Sequence, residues 1–560
     1  MNVSLGKYQS SVENTLNRIS KEKIVERIWQ KDYTVWRKDP TEISNRLGWL
    51  DSIQVTRKSF DEINSFVEEI RNEGFTHALL MGMGGSSLAP EVFRQTFGVK
   101  QGYLDLNVLD STHPEAILEY EHKLNPENTL YIVSTKSGGT IETMSFMKYF
   151  YNSVSKVIGN QKASRHFIAI TDPGSGLEEI SRKLKFRKIF LNDPDIGGRF
   201  SALSLFGIVP AALVGIDIEK LFDEALKMIT ICRHLDILNN SGAILGAILG
   251  TLALNGVDKL TFIISPQLKY IGGWLEQLIA ESTGKEGKGI LPVDLEPEST
   301  VREYGNDRAF CCIKLAGDNF IAKKVSELKS SGFTVVEIEL QNIYQLGAEF
   351  LRWEFATAIS GYILDVQPFD QPNVESAKVA ARTMMKGFQL NGKLPEPKPT
   401  FESNGIKIFS NLIIKTLEEI IPSFLSECKK GESYIAIQAY LKPDEKNRQL
   451  LQLLRLKILQ KYSIATTLGF GPRFLHSTGQ LHKGDSGNGF FIQLISDYPK
   501  DIPIPDDAGK DTSSVTFGTL IKAQALGDRH ALIDNNRKIL SIDLAQNINK
   551  NLELLIKSIG

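Results

Sequence analysis

Five short apolar runs, each followed by a helix-like pattern, constrain the fold of this 560-residue chain more than any other feature. The helical patterns between them include residues 60–71 and 114–122. Repeated β–α units of this length predict a doubly wound parallel sheet with right-handed crossovers. The five runs lie at residues 77–82, 106–110, 130–133, 167–171 and 188–191.

A second series of the same kind begins near residue 240. Its strands are predicted at residues 260–264, 310–315 and 334–340, and a long apolar helix is predicted at residues 346–364. Two α/β domains side by side place a ligand in the cleft where their loops meet.

The texture of the sequence changes near residue 395, where Pro395, Pro397 and Pro399 mark a boundary. Beyond it the patterns predict an α+β region. Its strands are expected at residues 434–438, 489–496 and 516–521. The chain is therefore expected to have four parts: a helical segment at 1–55, α/β domains at 56–235 and 236–394, and an α+β region at 395–560.

Composition argues against several classes of protein and partner. A net charge of −1 without a basic run gives no sign of a nucleic-acid partner. The cysteines show neither metal nor redox spacing, which indicates a reducing compartment. The N-terminus has no signal core, and the apolar stretch at 242–254 is too short to span a bilayer. Within that stretch Gly242, Gly246 and Gly250 predict a tightly packed helix. We expect a cytoplasmic protein without membrane contact.

The stretch at residues 134–143 has the composition of an anion-binding loop. Its glycines let backbone N–H groups turn inward, and the helix that follows offers its positive end. Hydroxyl donors come from Ser134, Thr135, Ser137 and Thr140. An ordinary capped helix start is the alternative, since Ser and Thr before Glu142 also form an N-cap pattern. Phosphate is favoured because four hydroxyls exceed what a cap needs. The lack of a Walker pattern argues against a nucleoside triphosphate.

Residues 82–87, Gly-Met-Gly-Gly-Ser-Ser, follow the first predicted strand, where a dinucleotide fingerprint would lie. Asp110 ends the second strand, as the ribose-binding acid of dinucleotide enzymes does. Ser87 stands in the place of the third glycine, so the fingerprint fails. Together with the hydroxyl loop, the run is better interpreted as a second wall of a sugar-phosphate site.

Three further motifs carry residues that chemistry can use, and each has a plainer alternative. Two glycines before Arg199 let the backbone approach a ligand while the guanidinium reaches it, although an ordinary turn with a surface arginine also fits. Glu281 ends an apolar helix, where a carboxylate opposes the helix dipole, although an exposed pair with Lys285 also fits. Lys378 lies two turns into a helix opened by Pro372 and is, on its own, a solvated lysine.

His476 lies in a polar loop after a glycine-rich run, at residues 469–472. The chain has only eight histidines, so one in a flexible polar loop is notable. His476 and His482 lack the spacing of familiar metal sites, so no metal is expected.

These motifs together resemble those of the phosphoglucose isomerase family. They are Gly-Gly-Ser at 84–86, the hydroxyl loop through Thr143, Gly-Gly-Arg-Phe-Ser at 197–201, Glu-Ser-Thr-Gly-Lys at 281–285, and Phe-Asp-Gln-Pro at 369–372. The resemblance covers roughly residues 20–390 and the His476 loop. It is closest to the isomerase half of bacterial transaldolase–phosphoglucose isomerase fusions, standing alone. It implies an α/β fold with two flavodoxin-like sugar-isomerase domains, each a five-stranded parallel sheet between helices.

The resemblance also implies roles for particular residues. Glu281 would move a proton between C2 and C1 of the sugar, Arg199 would stabilise the cis-enediolate, and Gln277 would contact the sugar. His476 and Lys378 would assist opening of the pyranose ring. The sugar phosphate would be held by Gly85, Ser86, Thr135, Lys136, Ser137 and Thr140. No cofactor is implied.

One departure from the family concerns the order of its motifs. In most members the histidine motif lies between the catalytic glutamate and the lysine helix, whereas here His476 follows Lys378. In ordinary members the histidine reaches across a dimer interface. The order found here leaves a second arrangement open, in which the C-terminal region delivers His476 within one chain. A monomer and a homodimer therefore both remain open.

The resemblance predicts interconversion of D-glucose 6-phosphate and D-fructose 6-phosphate, with a functional link to transaldolase. A dual phosphoglucose/phosphomannose isomerase is the nearest rival. A sugar-phosphate sensor without catalysis is a second rival, and the joint presence of Glu281, Arg199, Lys378 and His476 argues against it. A nicotinamide dehydrogenase is disfavoured by Ser87.

Overall fold

The computed structural model describes residues 1–395 and 397–559, without the side chains of residues 376–378 and 391. The chain opens with a strand and three helices: β1 Asn2–Ser4, α1 Gln9–Lys21, α2 Ile24–Trp29 and α3 Ser52–Arg57. The indoles of Trp36 and Trp49 are buried, and Trp36 Nε1 donates to the backbone oxygen of Ala358 at 2.9 Å. The aromatic residues therefore anchor this segment to the domains that follow.

The described residues form a first sheet of five parallel strands in the spatial order β3-β2-β4-β5-β6. Its strands are β2 His77–Gly82, β3 Asp105–Leu109, β4 Thr129–Ser134, β5 Phe167–Thr171 and β6 Lys188–Leu191. Counted within the domain, this is the order 2-1-3-4-5 of flavodoxin-like folds. Each of the five predicted strands is confirmed to within one residue.

Helices cover both faces of this sheet, as parallel strands require. They are α4 Phe60–Asn72, α5 Leu88–Phe97, α6 Pro114–Lys123, α7 Ile141–Ile158, α8 Asn160–Ala163, α9 Gly176–Lys183, α10 Leu205–Leu213 and α11 Ile218–Cys232. Gly82 at the end of β2 pairs with Ser134 at the end of β4, so the loops after these strands leave the sheet at one edge. The strand order reverses between β2 and β4, which is where ligands bind in such sheets.

The second sheet, again within the described residues, has the order β1-β10-β9-β7-β8. Its new strands are β7 Lys259–Ile264, β8 Leu291–Val293, β9 Arg308–Leu315 and β10 Thr334–Leu340. These four are parallel and repeat the order 2-1-3-4. The expectation of five parallel strands fails at one position, because β1 fills the fifth place antiparallel to β10. After β10 the chain forms a long buried helix rather than another β–α unit.

The helices of the second domain are α12 Ser241–Leu254, α13 Ile271–Thr283, α14 Ala322–Ser330, α15 Leu346–Leu364 and α16 Val374–Asn391. Tight packing of the glycine-spaced helix is confirmed, because α12 lies directly on α15. A Cβ atom at Gly246 would lie 2.5 Å from the backbone oxygen of Ala356.

In its described residues the C-terminal region forms a six-stranded sheet in the order β11-β12-β18-β15-β13-β14, and a two-stranded ribbon, β16-β17. The strands are β11 Phe401–Ser403, β12 Ile406–Phe409, β13 Tyr434–Tyr440, β14 Ala465–Phe470, β15 Gly489–Ile495, β16 Pro503–Ile504, β17 Val515–Thr516 and β18 Lys538–Asp543. The helices are α17 Ile420–Leu425, α18 Glu445–Tyr462, α19 Gly479–Gly484, α20 Phe517–Asp534 and α21 Ile548–Ile559.

The C-terminal sheet is more regular than the α+β arrangement expected for this region. Strands β13, β14, β15 and β18 are parallel and again have the order 2-1-3-4, with β12 antiparallel beside β18 and β11 at the edge. The strand predicted at 516–521 is wrong, because α20 begins at Phe517. The Thr516 hydroxyl accepts from the N–H of Thr519 and caps that helix. The β-branched pair Val515 and Thr516 forms the short strand β17, which ends where α20 begins. Among the described residues, no helix has both the length and the apolar character needed to cross a bilayer.

Candidate active site

A cleft of about 560 Å³ lies where the loops of the first sheet meet α13 and one turn of the C-terminal region. Ten of its lining residues were predicted from the sequence, and eight of them lie on loops or turns: Gly85, Ser86, Thr135, Lys136, Ser137, Thr140, Arg199 and His476. Gln277 and Glu281 line it as well. The fold therefore brings residues from three parts of the chain to one cavity.

The loop between β4 and α7 forms one wall of the cleft. The hydroxyl oxygens of Thr135 and Thr140 lie 3.1 Å apart, and the Ser137 hydroxyl accepts from the N–H of Gly139 at 3.2 Å. Thr140 is the N-cap residue of α7, but within the described residues its side chain makes no capping hydrogen bond. The capped-helix alternative therefore leaves these hydroxyls unexplained. The positive end of α7 lies at this wall and favours an anion.

Lys136 is oriented differently from the other residues of this loop. Its ammonium group forms an ion pair with Asp172 and donates to the backbone oxygen of Pro194 at 2.6 Å. Burial raises the pKa of Asp172, and Lys136 opposes that shift. The lysine thus ties the loop to the segment after β5 and adds positive charge at the edge of the cleft.

The Gly-Gly-Ser run forms a single 3-10 turn, Gly84–Ser86, between β2 and α5. A Cβ atom at Gly85 would lie 1.8 Å from the backbone oxygen of Gly198, so these two backbones are in direct contact. Gly84 has φ +54°, in the left-handed region that glycine accommodates. Glycine is required here because two loops meet with no room for a side chain.

Arg199 and Glu281 face each other across the cleft. Arg199 belongs to the 3-10 turn Gly198–Phe200, and Glu281 lies near the end of α13. Arg199 Nη1 is 3.4 Å from Glu281 Oε2, and both side chains are about 5% exposed. Burial lowers the pKa of Arg199, and Glu281 opposes that shift. The plainer alternatives, a surface arginine and a glutamate paired with Lys285, are therefore wrong.

The Phe-Asp-Gln motif holds Arg199 in place through its backbone. Arg199 Nη2 donates to the oxygen of Pro368 at 2.6 Å and to that of Asp370 at 2.8 Å. Lys285 donates to the carboxylate of Asp370 at 2.6 Å. Burial and the charge of Arg199 lower the pKa of Lys285 to about 7. The end of α13 and the 369–372 motif are thus joined around the guanidinium.

Gln277 lies one turn before Glu281 on α13, so both side chains reach the cleft. Its Nε2 donates to the backbone oxygen of His476 at 2.9 Å and lies 3.3 Å from Glu281 Oε2. Within the described part of the chain, its buried Oε1 makes no hydrogen bond. That oxygen is positioned to accept from a ligand hydroxyl.

His476 reaches the cleft from the C-terminal region of the same chain, on the 3-10 turn Arg473–His476. Its Nε2 lies 3.0 Å from Oε1 of Glu142, the second residue of α7. Gln524 Nε2 donates to the same oxygen at 2.7 Å, and the Thr112 hydroxyl donates to Gln524 Oε1 at 2.9 Å. Since a carboxylate accepts, Nε2 of His476 carries the proton in this contact.

For one predicted site residue the structure does not describe the side chain, and two residues near His476 were not predicted as site residues from the sequence. The side chain of Lys378 lies outside the described residues. Glu142 was interpreted only as part of a helix cap, and its spacing from the hydroxyl loop was the available signal. Gln524 gave no signal, since a lone glutamine in a helix is ordinary. Among residues 1–395 and 397–559, no group of three His, Cys, Asp or Glu side chains forms a metal site.

A family model described as phosphoglucose isomerase matches residues 48–296 of the chain. The match spans both walls of the cleft and includes Arg199 and Glu281. Over these residues the chain is similar to the phosphoglucose isomerase family. The matched residues end before α16 and the His476 turn, so the C-terminal region that delivers the histidine lies outside the matched part.

Two relatives align with this chain over most of their own length. The probable glucose-6-phosphate isomerase of Methanococcus maripaludis is 29% identical over 393 residues, which is 63% of this chain and 87% of the relative. The glucose-6-phosphate isomerase of Mycoplasmopsis pulmonis is 26% identical over 414 residues, which is 65% of this chain and 96% of the relative.

Solved structures share the fold. A glucose-6-phosphate isomerase from Chlamydia trachomatis matches with a TM-score of 0.59 at 17% identity, covering 69% of this chain and 87% of its own. A hypothetical protein from Thermus thermophilus matches with a TM-score of 0.59 at 23% identity, covering 68% of this chain and 99% of its own.

Proposed function

We propose that the protein interconverts D-glucose 6-phosphate and D-fructose 6-phosphate through a cis-enediolate. The observation that carries this proposal is the buried pair of Glu281 and Arg199, 3.4 Å apart, in the same cleft as a hydroxyl-rich loop at a helix N-terminus. An aldose–ketose isomerase needs a base near the α-carbon and a cation near the developing oxyanion. The match of residues 48–296 to the phosphoglucose isomerase model supports the same reaction.

Binding of the phosphate group is assigned to the first domain. The hydroxyls of Thr135, Ser137 and Thr140, together with Ser86 and the N-terminus of α7, supply donors to the phosphate oxygens. The Gly85 backbone lets the second wall approach closely. These contacts lie away from the reacting carbons and supply binding energy that orients them.

Proton transfer is assigned to Glu281. Its carboxylate takes the proton from C2, the C–H electron pair forms the C1–C2 double bond, and the C1 oxygen gains negative charge. Arg199 stabilises that charge in a buried site, where electrostatic interactions are stronger than in water. Return of the proton from Glu281 to C1, with transfer of the O2 proton to the C1 oxygen, gives the ketose. Gln277 is positioned to orient the sugar through its hydroxyls.

Opening of the pyranose ring is assigned to His476, and by resemblance to the family Lys378 is assigned the same step. The contact of Nε2 with Glu142 fixes the imidazole and leaves Nδ1 to act on the substrate. Nδ1 takes the proton of the O1 hydroxyl, the bond from C1 to the ring oxygen breaks as the aldehyde forms, and Nδ1 passes the proton to the ring oxygen. Gln524 holds Glu142 in turn. A general acid of this kind contributes roughly 10² to 10⁴ to the rate.

The proposal assigns a complete site to one chain. Gln277 of the second domain donates to the backbone of His476 from the same chain, which supports a monomer over a site shared between two copies. The substrate is a small sugar phosphate, with no nucleic-acid or membrane partner, in the cytoplasm. A functional link to transaldolase is part of the proposal through the resemblance to fusion proteins.

The test is proton exchange at C2 of glucose 6-phosphate in D₂O, followed by NMR with EDTA present. Wild type is expected to incorporate deuterium and form fructose 6-phosphate, and Glu281→Gln is expected to lose both by 10²-fold or more, as roughly expected for a general base. Glu286→Gln is the matched control, since that carboxylate is exposed beyond the helix end. Binding without exchange in wild type would establish a sensor, and exchange that survives in Glu281→Gln would mean another base. Turnover of mannose 6-phosphate at a similar rate would establish a dual isomerase.

A further inference from the structure

The turn that carries His476 begins with an arginine whose contacts the proposed reaction does not use. Arg473 and His476 are the first and last residues of the 3-10 turn Arg473–His476. The turn belongs to the C-terminal region, while its histidine acts on a substrate bound by the first two domains. Something must therefore hold this turn against those domains.

Arg473 contacts two carboxylates of the first domain. One terminal nitrogen of its guanidinium forms an ion pair with Glu91, and the other lies 3.0 Å from Oδ2 of Asp110. Glu91 lies in the first turn of α5, directly after the Gly84–Ser86 turn. Asp110 directly follows β3. The acid that resembled a ribose ligand in the sequence thus binds an arginine instead.

The electrostatics show that one guanidinium serves both acids. Burial and the charge of Glu91 raise the pKa of Asp110 to about 6, while Arg473 opposes that shift. Although burial acts to raise it, the pKa of Glu91 lies below its usual value because Arg473 is bonded to it. A planar guanidinium can span two acceptors, whereas an ammonium group acts as a single point charge.

The other end of the turn is held by the second domain. The backbone oxygen of His476 accepts from Gln277, and the Ser477 hydroxyl donates to Oε1 of Glu276 at 3.2 Å. Both acceptor and donor lie on α13, which also carries Glu281. The turn that carries His476 therefore contacts the first domain at one end and the second domain at the other.

We propose that Arg473 is a positioning residue, which clamps the His476 turn onto Glu91 and Asp110 so that the imidazole stays on Glu142 and on the ring oxygen of the substrate. This inference rests on the proposed function. Arg473 affects the reaction only through the position of His476. Loss of the clamp slows ring opening, whereas substrate binding and enolisation, which use other residues, continue.

A double-mutant cycle tests this inference directly. Arg473→Met is expected to lower kcat for glucose 6-phosphate by about 10- to 100-fold, below the full effect of a general acid, with KM changed by less than about threefold. In a His476→Ala background the same substitution is expected to cost less than about twofold, because the residue that it positions is gone. Arg473→Lys restores charge without the fork and recovers only part of the rate.

The matched control is Arg448→Met. Arg448 adds positive charge near Glu91 and Asp110, but its guanidinium lies over the ring of Phe470, 4.9 Å from the centroid. It is expected to keep kcat within about twofold of wild type. If Arg473→Met does not fold, Asp110→Asn removes half of the clamp at constant shape and enters the same cycle.

A second readout separates this inference from the proposed function. In protein labelled with ¹⁵N-histidine, the His476 signal, assigned by its loss in His476→Ala, reports the Nε2 proton held by Glu142 even without turnover. Arg473→Met is expected to shift it, and Arg448→Met is not. Equal losses of kcat in the presence and absence of His476, or an unmoved His476 signal in Arg473→Met, would overturn the clamp. Lack of isomerase activity in wild type would instead reject the proposed function.

Discussion

Gly85→Ala is the substitution whose effect follows most directly from the structure. The new Cβ atom would lie 1.8 Å from the backbone oxygen of Gly198 and 2.4 Å from its carbonyl carbon. The neighbour is backbone, so it has no flexible side chain to move aside. Since ordinary contacts of a Cβ atom begin near 3.4 Å, the two loops must separate by about 1.6 Å.

The size of the effect comes from what these loops carry. One loop carries Ser86, which is proposed to bind the phosphate, and the other carries Arg199, which is proposed to stabilise the enediolate. A misplacement of about 1 Å can cost about 10²-fold in rate, or about 2.7 kcal/mol of transition-state stabilisation. Overpacking also destabilises the fold by about 1–3 kcal/mol. We expect kcat/KM to fall at least about 100-fold while the protein still folds.

The assay couples formation of fructose 6-phosphate to a spectroscopic signal, with the melting temperature measured in parallel. Gly198→Ala is the matched control from the same contact, because within the described residues an added Cβ there meets no atom within 4 Å. It is expected to keep kcat/KM within about threefold of wild type, since it leaves the loop contact intact. Near wild-type activity in Gly85→Ala, or an equal loss in both variants, would refute this explanation.

Two further predictions concern stability. The pKa of Asp294 is raised to about 7 by burial, so the folded state binds an extra proton between about pH 4 and 7 and loses stability as pH rises through that range. The melting temperature of Asp294→Asn relative to wild type should rise progressively from pH 4 to 7, with a gain in the free energy of unfolding of at most about 4 kcal/mol. Asp534→Asn, which changes an exposed carboxylate, should show no such trend. Gly246→Ala should lower the melting temperature, because overpacking against α15 reduces the free energy of unfolding by about 1–3 kcal/mol. Gly387→Ala, which meets no atom within 4 Å among the described residues, should not.

The sequence predicted the first sheet well because its central strands β2, β4 and β5 are buried on both faces and therefore appear as largely apolar runs. Strands β14 and β18 were missed for the opposite reason. Thr466 and Thr467 interrupt one run and Ser541 interrupts the other, so neither has a clear apolar pattern. Because β14 and β18 were not predicted, the sequence did not indicate that the C-terminal region repeats the strand order 2-1-3-4.

The candidate site was predicted where function leaves a local pattern, as in the glycine turn, the hydroxyl loop and the end of α13. It was not predicted where function depends on contacts between distant parts of the chain. Glu142 and Gln524 are 382 residues apart, and Arg473 reaches Glu91 over the same separation. Spacing within one segment carries no information on such pairs. They appear only when the domains are packed together.

Strand β1 also has a consequence for the time course of synthesis. Residues 2–4 pair with residues 335–337, so this strand has its partner among residues that are synthesised much later. At about 5–20 residues per second, that partner follows after roughly 15 to 70 s. The first sheet, complete by residue 191, can fold during this delay, whereas the edge of the second sheet stays open. The nascent chain therefore carries β1 without its partner until β10 has been made, and the second sheet is completed later than the first.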